Sequence, residues 1–419
     1  MVKSKYKVTD IGMFPEDWEI KEMLEIISEI SMGPFGSDIK VSNFVNKGVP
    51  VLNGYNVSGI KLKERYSNFV TPEKAKSLKK AVAKKGDIVV THRGTIGQIA
   101  YISEDSTFEK YVISQSQFRF SVNKVSALYQ YIVLFFHSDK GQNIILESKG
   151  HTGVPAIAQA TTTFKKFKIP LPSLPEQQII IEVLSDTNTL TESLEKFISK
   201  KQFIKQGILQ TLLTPKENWE VKKLGEITEI SKGKNLSKNL LNCNGKFNCI
   251  LYGELFTTYK EVINNVMCRT NYADSIKSVK GDILFPGSTT TKGIDLAKAS
   301  TILKNDVLLG GDIIVVRKKN YEYNSIFLTY FLNVIKKYEI AQKTRGITIH
   351  HLYGNDLKDI EVLFPTLEEQ TQIATILTDL EDEIQNLEKK LQKAKQLKQG
   401  MMQQLLTGKI RLVNTLQTS

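Results

Sequence analysis

Apolar residues recur at steps of three and four along two long stretches of this chain. In the first they fall at Ile180, Val183, Leu184, Leu190, Leu194, Phe197, Ile198, Ile204, Ile208 and Leu212. In the second they fall at Ile373, Ile376, Leu377, Leu380, Ile384, Leu387, Leu391, Ala394, Leu397, Met401 and Leu405. That spacing lays one apolar stripe along a helix and predicts two rods, each with the seam of a coiled coil. Pro172 and Pro175 stand before and in the first turn, where proline is tolerated, while Pro215 and Gly408 close the two patterns. About 40 residues at 1.5 Å each make a rod of roughly 60 Å. The stretches are copies: Glu176-Gln177 returns as Glu369-Gln370, 193 residues later, and the register holds without a gap to Thr214 and Thr407. Neither stripe is stable in water, and the most economical cover for one copy is the other.

The copying extends beyond the rods. The two tryptophans lie in matching phrases, PEDWEIKEMLEI around Trp18 and KENWEVKKLGEI around Trp219. KGDIVV at Gly86-Asp87-Ile88 answers KGDILF at Gly281-Asp282-Ile283, and Gly153 and Gly346 stand at the rods' own spacing. ALYQYIVLFFHS and NSIFLTYFLNV each predict one helix, and β-rich runs at Asp87–Thr91, Gln98–Ile102, Gln117–Val122 and Asp312–Val316 predict short strands. The chain reads as a tandem duplication: a mixed α/β domain over residues 1–170, a rod over 171–215, a second domain over 216–363, a second rod over 364–412 and a tail over 413–419. Because the link Pro215–Asn218 returns the chain directly into the second domain, the rods are expected to run antiparallel about a pseudo-two-fold axis. The fold class is therefore α/β, two mixed α/β domains joined by two long antiparallel coiled-coil helices. The middles of the domains, 31–80 and 231–275, have little in common. One frame with two unlike sets of loops suggests two ligands, or two sequences of one polymer.

Composition narrows the class. At 419 residues the chain is too long for one ordinary core, and its 41% hydrophobic and 24% charged residues are globular values. No apolar run approaches the roughly 18–20 residues that span a bilayer, and no secretory signal is visible at the N-terminus. Three cysteines, Cys243, Cys249 and Cys268, fit a reducing cytosol and lack the spacing of paired zinc ligands, so a cytoplasmic protein without a metal site is expected. The net charge of +13 points to a polyanion partner, of which nucleic acid is the commonest.

Catalytic constellations are missing. GSTTTKG, Gly287 to Gly293, puts Thr291 where a phosphate-binding loop needs glycine before its lysine. No cofactor glycine loop or Asn/Asp-Pro-Pro-aromatic tetrapeptide of an amino-methyltransferase occurs. His92, His137, His151, His350 and His351 form neither an HExxH site nor a triad. What remains is a set of polar and basic loops. THRGTIGQ offers His92, Arg93, Thr95 and Gln98 on a glycine-flexed turn after a predicted strand; FPGSTTTKG offers Ser288, Thr289, Thr290 and Lys292 at the matching place. NGYN adds Asn53, Tyr55 and Asn56, SQSQFR adds Gln115 and Gln117, SKGKNLSK adds Lys232 and Lys234, and Lys343 and Arg345 precede Gly346. Hydroxyls, amides and cations on tight turns are what phosphate positioning and base-edge reading require. An ordinary polar hairpin uses the same residues.

A Pro-rich entry opening a long helix that ends LLTGKIRL (Leu405–Leu412), twice in one chain, resembles the specificity subunit of type I restriction–modification systems. The entries are IPLPSLPEQQIIIEVL and LFPTLEEQTQIATIL; the opening IGMFPEDWEI at Ile11–Ile20 and the GDI…GTIG phrase at Gly86–Gly97 fit as well. The second half departs from the pattern, with Thr366 and Glu368 where Ser173 and Pro175 stand and GSTTTKG in place of GTIG. The resemblance implies a non-catalytic reader of double-stranded DNA. Its two target-recognition domains each read half of a split, asymmetric site, held apart by the helices. Methylation subunits using S-adenosylmethionine and restriction subunits using ATP and Mg would assemble around it, with no cofactor bound by this chain. The rival reading is a structural or protein-recruiting adaptor with incidental charge; a third is an enzyme with an unrecognised site.

Overall fold

The structure, a computed structural model, describes residues 5–148 and 155–412. His151, Gly153 and the tail 413–419 lie outside the described residues. The chain forms two compact units. One runs to Leu194 and takes the chain in again from Lys390; the other is Glu195–Lys389. Each unit thus holds one globular domain and part of both long helices.

In the first unit the central sheet is built from β1 (Ile27–Met32), β2 (Ile88–Thr91), β3 (Ile99–Tyr101) and β4 (Gln117–Val122) in the order β1-β4-β2-β3, all antiparallel. In β2, Ile88 and Val90 face one core and Val89 faces another. Alternate side chains leave opposite faces of a strand, so a strand covered on both sides reads as an unbroken apolar run. The first core includes α1 (Tyr129–His137), whose residues Tyr131 to Phe136 are all buried, as a helix apolar all round must be. The second core gathers Val51 and Leu52 from the first domain's own middle with Tyr111 and Ile113.

After the long helix α2 (Leu174–Leu213), the second unit repeats this frame. It comprises β5 (Thr228–Lys232), β6 (Val262–Ile263), β7 (Asp282–Pro286), β8 (Ser300–Ile302) and β9 (Ile313–Lys318) in the order β5-β9-β7-β8-β6, with β6 alone paired parallel. Ile283, Phe285, Ile314 and Val316 face the core under α3 (Ser325–Val334), while Leu284, Ile313 and Val315 face the opposite one. The chain ends in α4 (Leu367–Leu405).

One buried glutamine explains the entry to each long helix. Gln177 donates from Nε2 to the Pro172 carbonyl and accepts at Oε1 from the Leu128 N–H, both at 2.9 Å. Gln370 does the same with the Pro365 carbonyl and the Asn324 N–H, again at 2.9 Å. Only an amide side chain donates and accepts in one plane, so it joins the helix entry to the start of α1 or α3. Glu176 and Glu369 beside them diverge. Glu176, 1% exposed, accepts from Trp18 Nε1 at 3.2 Å and from Arg411 at 2.5 and 2.7 Å, and Asp17 takes the same guanidinium at 2.9 Å. Glu369 has Lys216 at 2.7 Å, and Trp219 Nε1 has no hydrogen-bond partner among the described residues.

Within each unit the segments of α2 and α4 run antiparallel. In the second unit Lys201, Lys205 and Lys216 meet Glu383, Glu381 and Glu369 in that order, so one number rises as the other falls. In the first unit Lys398 donates to Asn188 Oδ1 at 2.6 Å, and Arg411 beyond α4 reaches Glu176 at the start of α2. Met402, Leu405 and Leu406 join Trp18, Ile180 and Leu184; Leu213 joins Trp219, Ile373 and Leu377. The stripe is not covered throughout: Leu190, Phe197, Ile204, Ile376 and Leu397 are exposed. Gly408 turns the chain after α4 with φ +67°, and a Cβ there would sit 2.4 Å from Pro15, so the turn needs glycine twice over. No helix among the described residues is long and apolar enough to cross a membrane.

Candidate nucleic-acid interface

The first domain carries an open cleft of about 1210 Å³ at the end of β2. The strand runs on into Thr91–Gln98, and this turn is clamped from two sides. His92 N–H donates to the Ser116 carbonyl, Ile157 N–H to the His92 carbonyl and Gly94 N–H to the Pro155 carbonyl, each at 2.9 Å. His92, Arg93 and Gln115 line the cleft together with Ser116, Lys79 and Lys80. His92 Nε2 lies 3.3 Å from the Gln115 carbonyl, and burial, with Arg93 adding to it, holds the imidazole below its ordinary pKa. Neutral at neutral pH, it spends its Nε2–H on that carbonyl and leaves Nδ1 as an acceptor, and positive charge in the cleft comes from Arg93 and the lysines. Thr95 is exposed at the tip of the turn, and half-buried Gln98 packs beside Gly54.

Two expected readers do other work. Asn56 is fully buried: its Nδ2 donates to the Lys63 and Arg65 carbonyls at 2.7 and 3.0 Å, and its Oδ1 accepts from Asn53 N–H. Gln117 is equally buried, accepting from Ser114 N–H and donating to the Asn53 carbonyl at 3.1 Å. With every polar atom spent inside the protein, both hold loops rather than face a ligand. Asn53 belongs to the same network, whereas Tyr55 is 49% exposed with Lys63 Nζ 5.4 Å from its ring centre.

The second domain gathers its candidates at the matching end of β7. Ser288 and Thr289 pair with His351 and His350, and Arg345 exchanges backbone hydrogen bonds with His351 at 2.9 and 2.7 Å. Lys232 meets Asp312 at 2.6 Å, and Ser288 Oγ donates to the same carboxylate at 3.1 Å. The lysine ammonium and, more weakly, the serine hydroxyl hold Asp312 below the ordinary carboxylate range. Arg345 reaches Asp356 at 2.7 Å; Asp295 accepts from Thr291 and from the Lys292 N–H. Thr290, Lys292 and Lys234 are exposed, and Lys343 is half-buried at the end of a short helix. Carboxylates therefore partly balance this cluster, as Glu29 and Asp38 do beside Lys79 and Lys80 in the first domain's cleft.

Phe35, Lys79, Lys80 and Ser116 in the first domain, and His350, His351 and Asp312 in the second, are absent from the sequence-derived candidates. The Lys-Lys pair and the Pro-Phe-Gly turn were visible as text, but nothing local ties residues 35 and 79 to residue 92. His137 is no candidate: its Nε2 donates to the Ile99 carbonyl at 2.7 Å. Among the described residues no group of three or more His, Cys, Asp or Glu side chains is placed to hold a metal ion.

Comparison with known proteins agrees with this geometry. Residues 15–205 and 216–396 each match the Methylase_S family, described as the type I restriction modification DNA specificity domain. The putative type I restriction enzyme MjaX specificity subunit of Methanocaldococcus jannaschii is 25% identical over 98% of this chain and 97% of its own. The MjaIX specificity subunit of the same organism is 22% identical over the same shares. In fold, the chain is similar to the S subunit of a type I restriction–modification system from M. genitalium, with a TM-score of 0.62 at 15% identity over 96% of this chain and 99% of that one. With both halves matched, the chain belongs to the family of type I restriction–modification DNA specificity subunits, as a non-catalytic, two-domain member.

Proposed function

We propose that each globular domain reads one half of a bipartite, asymmetric DNA site, and that the chain carries the methylation and restriction subunits that act there. Family membership supplies the DNA-reading role. The single observation that supports the division of labour is the duplicated frame with unlike loops. The four-strand order β1-β4-β2-β3 recurs as β5-β9-β7-β8, and in both units the segment just after β2 or β7 pairs back with a later segment. One turn presents His92 and Arg93 beside Gln115 and Ser116; the other presents Ser288 and Thr289 beside Lys232 and Arg345. Donors and acceptors of that kind read base edges, and the flanking lysines meet phosphate. S-adenosylmethionine, ATP and Mg would belong to the partner subunits. The test is to graft residues 19–160 from a relative of different specificity and to select preferred duplexes from a random pool, using the chain purified with its methylation subunit. One half of the selected site should change and the other should stay. Changes in both halves, or in neither, would refute the division.

A further inference from the structure

Residues 33–38 continue directly from β1 and form one rim of the first domain's cleft. At their centre Phe35 stands 80% exposed, although Phe118, Phe120, Phe135, Phe136 and Phe164 of the same unit are all fully buried. A lone exposed ring is common on protein surfaces. This one stands on a hydrogen-bonded turn. Asp38 N–H donates to the Phe35 carbonyl at 2.9 Å, Asp38 Oδ2 accepts from Phe35 N–H at 3.1 Å, and Pro34 is buried. Gly33 donates to the Gln117 carbonyl at 2.8 Å and packs so tightly that a Cβ would lie 2.0 Å from the Ser114 carbonyl oxygen. Gly36 abuts the Gln115 side chain. The turn is thus built onto the segment that supplies Gln115 and Ser116, and it fixes an open aromatic ring beside the polar groups of the cleft. Two carboxylates share the cleft: Asp38, bonded within the turn, and Glu29, which meets Arg119 at 2.5 Å and feels the charge of Lys79. Lys79, Lys80 and Arg93 outnumber them on its wall.

We propose that Phe35 is an apolar wedge of the first domain, inserting its ring at a base step of the half-site which that domain reads. The inference rests on the proposed division of labour between the domains. An exposed ring on a hydrogen-bonded turn, flanked by phosphate-binding cations, has the attributes of side chains that unstack a step. The second domain does not repeat the residue at this place. There Gly233 follows β5 in the same way, donating to the Ile313 carbonyl at 2.8 Å, but Lys234 and Asn235 follow it and the next apolar residue, Leu236, is buried.

The experiment uses the full chain purified with its methylation subunit and a duplex selected from a random pool, carrying 2-aminopurine at each position in turn. Wild type should raise fluorescence at one step of the first domain's half-site, apart from any base that the methylation subunit turns out of the stack. F35A should abolish that signal and weaken binding about 10- to 100-fold, the scale of a missing aromatic–base stack. F35W should keep both properties, and the salt dependence should be the same in all three. Unchanged fluorescence with F35A, or affinity within twofold of wild type, overturns the proposal. So does a loss that replacing thymine by uracil reproduces, because the ring would then touch a methyl group from outside the stack. A first-half-site signal confined to the base that the methylation subunit turns out refutes the wedge while leaving the two-reader model standing; failure of wild type to select any half-site for the first domain refutes both.

Discussion

Arg411 is the sharpest test of how the first unit is closed. It lies beyond the end of α4, yet its guanidinium meets Glu176 at the start of α2 and Asp17 beside Trp18. The Arg411 side chain is 10% exposed and that of Glu176 only 1%. R411M therefore leaves a buried carboxylate with the Trp18 N–H at 3.2 Å as its remaining side-chain partner. Removing one partner of a buried pair costs about 3–5 kcal/mol; Asp17 is largely exposed, so the lower end, about 3 kcal/mol, is expected. The second unit supplies the control. Lys216 and Glu369 are 61% and 28% exposed, and an exposed pair contributes under about 1 kcal/mol. Amide hydrogen exchange resolved by segment separates the units, which one melting curve cannot do. R411M should speed exchange in Ile88–Thr91 and Tyr129–His137 about 100-fold, and K216M should speed the second unit's equivalents less than about fivefold. Adding E176Q to R411M should recover part of the loss, because a neutral amide is less costly to bury. Equal effects of R411M and K216M would refute the argument that burial sets the strength of these pairs.

Glu381 gives a pH prediction in the second unit. Burial pushes its carboxyl upward, but hydrogen bonds from Lys205 and Lys260 outweigh that and hold the pKa at about 2, against an ordinary 4.5. A depressed carboxylate stabilises the fold above its unfolded pKa and loses that contribution as pH falls through the folded one, so the window is about 4.5 to 2. With Lys260 45% exposed, E381Q should cost about 1–2 kcal/mol at neutral pH and flatten this acid limb, read as hydrogen exchange in Glu195–Lys389. Q177A and Q370A should each cost about 2 kcal/mol in their own unit, since each orphans a backbone N–H, at Leu128 and at Asn324. Denaturant melts followed by segment-resolved exchange would check that the two losses match. Replacing Arg93, Lys79 or Lys80 by glutamine should lower the slope of log affinity against log salt by about 0.9 for each phosphate that is no longer neutralised. An unchanged slope in a salt titration of DNA binding would remove those residues from the interface.

Much of this architecture was legible in the chain, because periodicity is a local property. Steps of three and four marked both long helices, and the runs at Gln117–Val122 and Asp312–Val316 marked strands that form at Gln117–Val122 and Ile313–Lys318. The duplication told that whatever one half does structurally the other repeats, and Gln177 and Gln370 show the repeat down to single hydrogen bonds. The candidate site was legible only in part. Asn56 and Gln117 looked like free amides in polar loops, but Asn56 is enclosed by the loop that follows it, at Lys63 and Arg65, and Gln117 by Asn53, 64 residues away. Phe35, Lys79 and Lys80 fell in the divergent middle of the first domain, where no pattern connects them to His92. What the sequence determined by itself is which segments become helix and strand, and that they do so twice. Only the tertiary structure decided which polar groups the protein uses up internally and which it leaves for a ligand. The physical reason is that a hydrogen bond depends on approach in space to about 3 Å, whereas spacing along a chain dictates only which side of an element a residue faces.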